Sequence, residues 1–497
     1  MVLVKNRKSF VVLLLQLIQT ALAAATVIYL ARILQTDEYG RYVYYLTAAS
    51  VVPLLTGLGG EHVFLMQASR DSKLIPVLFG SALFVRGVLT VLVSFIAAAI
   101  LFLGGVSHAD AIILIVTGCL LTAFSNPLFL SFYRVKGIHI RPWIILFLNP
   151  LTFFSYLLVL PKSFVSVQAV SLGFVLSQVV PFCVFLVDVK GRVSLRISWE
   201  CVRKFSGTGM MFSLSQAFDY LFSRVDIFLI QIVLGPFFVG VYAAGQRVVS
   251  LFQLIPSSFH VVELPEFHRA AENKPLLVEK FRSLRRLLLE LAALFFGLMI
   301  LNSAYIVGTL FKETYKGASS IVVLLSLSSV LLFVNYPYYM LAEAINKIRQ
   351  RLFTRIYTFL LTIVFVFVFA KYYGANGAAL GMILGQLVFL LLLHQITKEC
   401  NAGLRGLLWD ARSLAIASFA FLVAYGLGDL LRAGFLKCLL VSTAYTIIVF
   451  IVGTRLGLIV SLASWKELTH KKGDSAAEQP LAENARAPKA ANEVFIS

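Results

Sequence analysis

Five ionisable residues fall inside stretches that are otherwise apolar: Arg86, Asp219, Arg224, Asp226 and Arg247. Glu61 and Glu343 lie nearer the ends of such stretches. A charge in the middle of a membrane-spanning helix costs at least about 2.5–3.5 kcal/mol, so it faces a partner or a watery cavity. Two chemistries are open to this set. Arg247 can bind an anion while Asp226 titrates, or the same two groups can form a buried salt bridge between helices. Arg86 lines a cavity or pairs with Glu61.

Spacing narrows the arrangement. Asp219 and Asp226 are seven residues apart and share one helix face. Arg224 is offset from them by about 140° and 200° and points elsewhere. Asp226 and Arg247 lie on consecutive helices at about the same depth, about 12–15 Å from the shared turn, so they can meet. A weaker polar set comprises Gln16, Gln19, Gln178, Gln216, Gln231, Gln246, Gln253, Gln386, Asn126 and Asn335. Hydrogen bonding between helices is its default role. Pro127 and Pro337 each follow an asparagine within two residues. A proline in a spanning helix frees a carbonyl and permits a bend, which makes both hinge candidates.

The elements that must hold these residues are apolar helices. The 497 residues are 59% hydrophobic and 13% charged, with mean hydropathy +0.88. Soluble domains run at roughly 45–50% and 25%. A hydrocarbon core of about 30 Å needs about 20 apolar helical residues. Segments of that kind occupy 9–33, 41–65, 77–104, 109–133, 142–160 and 165–187 in the first half. The second half offers 206–234, 237–262, 286–310, 318–344, 353–371 and 375–397, and a last pair covers 411–430 and 435–457. With the N-terminus inside, 32 of the 43 Lys and Arg residues fall on the inner side and 8 on the outer. That bias puts both termini in the cytoplasm.

A short phrase recurs. Leu34-x5-Gly40-x-Tyr42 reappears as Leu234-x5-Gly240-x-Tyr242. Leu172-Gly173-x-x-Leu176-x-Gln178 reappears as Leu380-Gly381-x-x-Leu384-x-Gln386. Two similar halves in the same direction predict a two-lobed transporter. The division is a first lobe over 1–187, an inner loop over 188–205 and a second lobe over 206–397. An extra helix pair over 398–457 and a polar, mostly disordered inner tail over 458–497 complete it. The basic loop 263–285 ends in Phe281–Leu287, which is suited either to an anionic membrane surface or to an ordinary positive flank.

Other classes are disfavoured. The net charge of +19 follows from the positive inner loops and does not imply a nucleic-acid partner. Five scattered cysteines show neither a disulfide framework nor a zinc spacing, and no metal or organic cofactor is expected. No GxxxxGK[ST] phosphate loop occurs, so nothing points to a nucleotide-driven pump. Lys5, Arg7, Lys8 and Ala21-Leu22-Ala23 imitate a cleaved signal, but the apolar run continues to Leu34 and is expected to stay as a helix.

The opening segment with Ala31-Arg32-Ile33-Leu34-x5-Gly40-Arg41-Tyr42 resembles bacterial polysaccharide flippases of the multidrug/oligosaccharidyl-lipid/polysaccharide (MOP) exporter superfamily. Arg224–Leu229 followed by Leu234-Gly235-Pro236-x3-Gly240-Val241-Tyr242-Ala243-Ala244 is similar to the second-lobe opening of that family. The resemblance implies an all-α, V-shaped bundle of two six-helix lobes like that of the multidrug (MATE) exporters, here with an added helix pair. It implies alternating access for an oligosaccharide on an undecaprenyl-pyrophosphate carrier, in a bacterial inner membrane. Arg247, Arg224 and Arg86 would then supply phosphate-binding charge, with Asp226, Asp219 and Glu61 as the charge-pair or coupling groups. Coupling to H+ or Na+ is compatible with those acids. Expected partners are the lipid-linked glycan, membrane lipids, and a polymerase with other polysaccharide-assembly proteins. The alternatives are a cation-coupled multidrug exporter of the same superfamily and a membrane-embedded glycan ligase or polymerase.

Overall fold

The computed structural model describes residues 7–57, 64–65, 67–68, 71, 74–103, 126–138, 140–190, 196–204, 210–398, 442–443 and 445–446. Among them the regular structure is helical throughout. The first half contains α1 (Arg7–Ile33), α2 (Thr36–Ala49), α3 (Val51–Gly57), α4 (Ile75–Leu103), α5 (Asn126–Val135), α6 (Arg141–Val159) and α7 (Val167–Lys190). The short α8 (Trp199–Lys204) leads to the second half. That half contains α9 (Met210–Val233), α10 (Pro236–Ser250), α11 (Leu254–Ala270), α12 (Lys274–Leu310), α13 (Ala318–Ala344) and α14 (Ile348–Ile396). Only helices satisfy every backbone group internally in hydrocarbon without a closed barrel, and these apolar runs obey that constraint.

Seven described helices are long and apolar enough to cross a membrane, eight when α10 and the start of α11 count as one bent span. This differs from the fourteen expected for definite reasons. The segment at 411–430 and most of 109–133 and 435–457 lie outside the described residues, and the expected span 41–65 divides at Ser50 into α2 and α3, with only part of it described beyond Gly57. Helix α9 carries Asp219, Arg224 and Asp226, which lowers its hydropathy. The expected pair 353–371 and 375–397 is one continuous helical run, α14, folded at Gly374 (φ 61°). Its arms lie antiparallel. A Cβ on Gly381 would press on the Val366 backbone, and one on Gly385 would press on the Thr362 side chain.

Two boundaries are corrected. The expected span 237–262 is broken after Ser250, and its arms meet at 47°. The expected loop 263–285 is helical instead: α11 runs on to Ala270 and α12 starts at Lys274. Asn273 caps α12, its side-chain oxygen accepting from the Leu276 N–H at 3.3 Å. Phe281, Leu284, Arg285 and Leu288 are buried there, so this face packs on the protein rather than on headgroups.

Three apolar cores divide the described part of the bundle. One lies within the first half, around Phe79, Phe129, Phe132 and Phe185. Another lies within the second, around Phe281, Leu288, Phe333 and Tyr338. The third joins the halves and contains Leu34, Tyr39 and Tyr42 beside Val239, Tyr242 and Tyr315. The shared core sits at the end that carries the α1–α2 and α9–α10 turns, called the upper end below.

Candidate functional site

The two copies of the repeated phrase meet at the upper end. Helix α2 packs along α10 so closely that a Cβ on Gly40 would overlap the Pro236 carbonyl. In the opposite sense, a Cβ on Gly240 would overlap the Thr36 carbonyl. Small residues permit this approach, and in lipid close packing of that kind is a main source of helix association. Gly235 (φ 89°) and Pro236 end α9 and start α10, which sets the entry angle of the second copy. Further contacts close the seam. Thr36 Oγ1 lies 3.1 Å from Thr314 Oγ1, and Tyr39 meets Tyr315 edge-on at 6.2 Å. Arg32 donates to the carbonyls of Leu310, at 2.8 Å, and Thr309, both at the end of α12.

Below this closure the polar residues of α9 and α10 converge. Asp226 is fully buried. Its Oδ2 accepts from Tyr242 Oη at 2.7 Å and from Gln246 Nε2 at 3.2 Å, while Oδ1 accepts from the Ile227 N–H at 2.8 Å. Gln246 turns its other atom outward, and Oε1 accepts from Arg224 Nη1 at 2.8 Å. Arg247 reaches the first half, where Nη2 donates to the Ala23 carbonyl at 3.3 Å. Tyr39, Tyr42 and Arg224 are within electrostatic reach of it. Tyr220, one turn before Arg224, donates to the Thr47 carbonyl of α2 at 3.1 Å.

The expected meeting of Asp226 with Arg247 does not occur. Tyr242 and Gln246 occupy the carboxylate instead, because they lie on the α10 face turned to α9. Arg224, expected to point away from Asp226, is tied to it through the Gln246 amide. Neither Arg224 nor Arg247 forms a salt bridge among the described residues. Two guanidiniums therefore stand at the boundary of the halves, hydrogen-bonded to neutral oxygens among the described residues.

The other expected site residues lie apart. Asp219 pairs with Arg355, Nε to Oδ1 at 2.9 Å. That guanidinium also sits over the rings of Phe222 and Phe389 at 3.8 and 4.5 Å. Arg86 is buried in α4 beside Gly57 of the first half. Glu61 lies outside the described residues. Pro127 is the second residue of α5, and Pro337 lies inside α13. Near Pro337, Asn335 Nδ2 donates to Gln386 Oε1 at 2.9 Å, the interhelical role assigned to these amides.

Residues missed from the sequence include Arg351, Arg355 and His260. Arg351 and Arg355 belong to a run of positive charge that reads as an inner flank, yet they are four residues apart and open an apolar run. That spacing puts both on one face of α14.

The sequence profile of the family described as "Polysaccharide biosynthesis protein" matches residues 29–320. No protein of curated function matches the chain. Among solved structures, the lipid II flippase MurJ in an inward closed conformation is similar at TM-score 0.75 and 14% identity. That match covers 90% of this chain and 99% of the other. An inward-facing multidrug resistance MATE family transporter of the MOP superfamily gives TM-score 0.63 at 14% identity, over 80% and 95% of the two chains. A MOP superfamily transporter from Pyrococcus furiosus, described by the reverse polarity of its binding pocket, gives 0.56 at 13% identity, over 82% and 94%. The chain belongs to the polysaccharide biosynthesis protein family and is a multi-pass membrane protein with the fold of the MOP superfamily.

Proposed function

We propose that the chain is a flippase that moves undecaprenyl-pyrophosphate-linked oligosaccharide repeat units from the cytoplasmic to the outer leaflet of a bacterial inner membrane. The observation that carries this reading is the pair Arg224 and Arg247, which form no salt bridge among the described residues, at the boundary of the halves beneath a closed upper end. A sugar pyrophosphate cannot enter hydrocarbon unaided. Guanidiniums replace part of its hydration with charge-assisted hydrogen bonds, and a gap between halves leaves the polyprenyl tail in lipid. With both termini cytoplasmic, the upper end is the outer face, and the site opens inward to receive substrate. Separation of α2 from α10 would then open it outward.

Membership of a polysaccharide biosynthesis family supports this substrate class. A cationic drug would meet two like charges, which disfavours the multidrug alternative. Short outer connections, such as Leu34–Gln35 and Leu234–Gly235, hold no catalytic residues for a ligase or polymerase. The test is movement of a fluorescent polyprenyl-pyrophosphate oligosaccharide in liposomes, scored by protection from an impermeant reagent. Wild type is expected to move it and Arg247→Ala to lose most of that rate. Equal rates in both would remove Arg247 from the site, and drug movement without lipid movement would overturn the reading.

A further inference from the structure

The bent span places a second polar centre far from the arginine pair. Arg247 is on the upper arm, α10, and His260 is on the lower arm, α11. His260 Nε2 lies 3.6 Å from Glu343 Oε2 at the end of α13. The other carboxylate oxygen, Oε1, accepts from Arg351 of α14. Tyr336 and Tyr339 stand edge-on to the imidazole at 5.9 and 5.5 Å, and Arg351 stacks on Tyr339 at 3.8 Å. The His260 side chain keeps 25% of its surface exposed, while Nε2 itself is buried against Glu343.

Most charges around this pair have partners of their own. Glu343 and Arg351 cancel, as do Asp219 of α9 and Arg355 of α14 beyond them. From α12, Lys280 is taken by Glu266, and Arg285 is bonded to Tyr338. On its own helix, Glu263 lies three residues beyond His260 and is buried. A proton on His260 adds a positive charge beside Glu343, whose Oε2 faces the imidazole. With a neutral imidazole, the carboxylate serves Arg351 alone. With an imidazolium it bridges two cations, and the lower arm of the bent span gains a charge-assisted contact to α13.

We propose that His260 and Glu343 form a proton-binding site that fastens the lower arm of the bent span to α13 and so couples pH to transport, a role that rests on the transporter reading above. The bend at residues 251–253 connects this site to Arg247, so fastening one arm biases the position of the other. Histidine is suited to the task because its ordinary titration falls between about pH 5 and 8.

The test uses the full chain in lipid nanodiscs. Histidine-ring NMR would follow the His260 signal, identified by its loss in His260→Gln. Glu343→Gln is expected to displace the titration midpoint of that signal by about one pH unit. An unmoved midpoint would overturn the site. Should Glu343→Gln not fold, Arg351→Gln removes the competing cation and is expected to displace the same midpoint. In liposomes carrying a fluorescent polyprenyl-pyrophosphate N-acetylglucosamine probe, wild-type rates are expected to change several-fold between about pH 6 and 8. His260→Gln is expected to move the probe at a rate flat across that range, and a wild type already flat would overturn the coupling. No probe movement by wild type would sink the flippase reading, and the ring titration would then decide the proton site alone.

Discussion

Gly40 and Gly240 each press against the backbone of the other's helix, Gly40 on the Pro236 carbonyl and Gly240 on the Thr36 carbonyl. Their positions in the repeated phrase are identical, so the closure is made by one motif used twice. On the flippase reading, alternating access requires that this contact form and break. Gly40→Val or Gly240→Val would place methyl groups where backbone now lies, and the upper end could not close. Each is expected to lower flipping by at least about tenfold, the effect of about 1.4 kcal/mol against the closed state. Cysteines at Thr36 and Thr314 would report it: their cross-linking in the wild-type background should fall in the valine variants. Undiminished cross-linking would show that the seam tolerates the added bulk.

The repeated phrase, the all-helical bundle and the in-membrane charges were legible in the sequence because hydropathy and spacing determine them. Partner choice was not. Asp226 and Arg247 have matching depths, but depth does not fix which face of α10 turns to α9, and Tyr242 with Gln246 won that face. Arg355 was hidden for a different reason. Four positive charges between Lys347 and Arg355 look like an inner flank, yet α14 begins at Ile348 and carries Arg351 and Arg355 into the packed interior. Long apolar helices extend past the membrane, and hydropathy alone does not mark where a flank becomes a helix. The break after Ser250 also had no sequence signal in proline or glycine at residues 251–253.

Gln246 fixes the site by holding Asp226 with Nε2 and Arg224 with Oε1. Gln246→Glu is nearly isosteric, yet it places a carboxylate on Arg224 and a like charge beside Asp226. It is expected to weaken binding of a pyrophosphate lipid by about 10- to 100-fold, the worth of one hydrogen bond to a charged group. Arg224→Ala should do the same, and Arg224→Lys should recover only part because it loses the planar fork. Binding measured by quenching of a labelled lipid in detergent would check this without transport. Equal affinity in wild type and Gln246→Glu would exclude Arg224 from the anion site.

Asp219 and Arg355 tie α9 to the first arm of α14, with Phe222 and Phe389 against the guanidinium. The Asp219 side chain is 41% exposed and the Arg355 side chain 16%, so the cost of separation falls mainly on the arginine. Asp219→Asn is expected to destabilise by about 1.5–3 kcal/mol, the value of a charge-assisted hydrogen bond. Arg355→Met keeps the stem and the ring contacts, and Asp219→Asn/Arg355→Met should be less destabilised than the sum of its parts. Thermal unfolding in detergent, run as a double-mutant cycle, measures the coupling. Strict additivity would mean that the pair is not energetically joined.

Residues 442, 443, 445 and 446 are described beside α12, and Ser442 and Tyr445 dock on it through specific groups. Tyr445 Oη donates to the Ala293 carbonyl at 2.9 Å, and Asn302 Nδ2 donates to Ser442 Oγ at 2.8 Å. Gly297 makes room for the Tyr445 ring, since a Cβ there would overlap it. Tyr445→Phe keeps the packing and loses one hydrogen bond, an expected cost of about 1 kcal/mol. Gly297→Val should do more, because the ring can no longer seat and Asn302 loses its bond to Ser442 with it. Limited proteolysis separates these effects. Cleavage beyond residue 398 should quicken strongly in Gly297→Val and slightly in Tyr445→Phe, while α12 and α13 stay protected. If flipping survives in Gly297→Val although the segment is released, the added helix pair is peripheral to transport. If flipping fails together with docking, the pair takes part in holding or guiding the lipid.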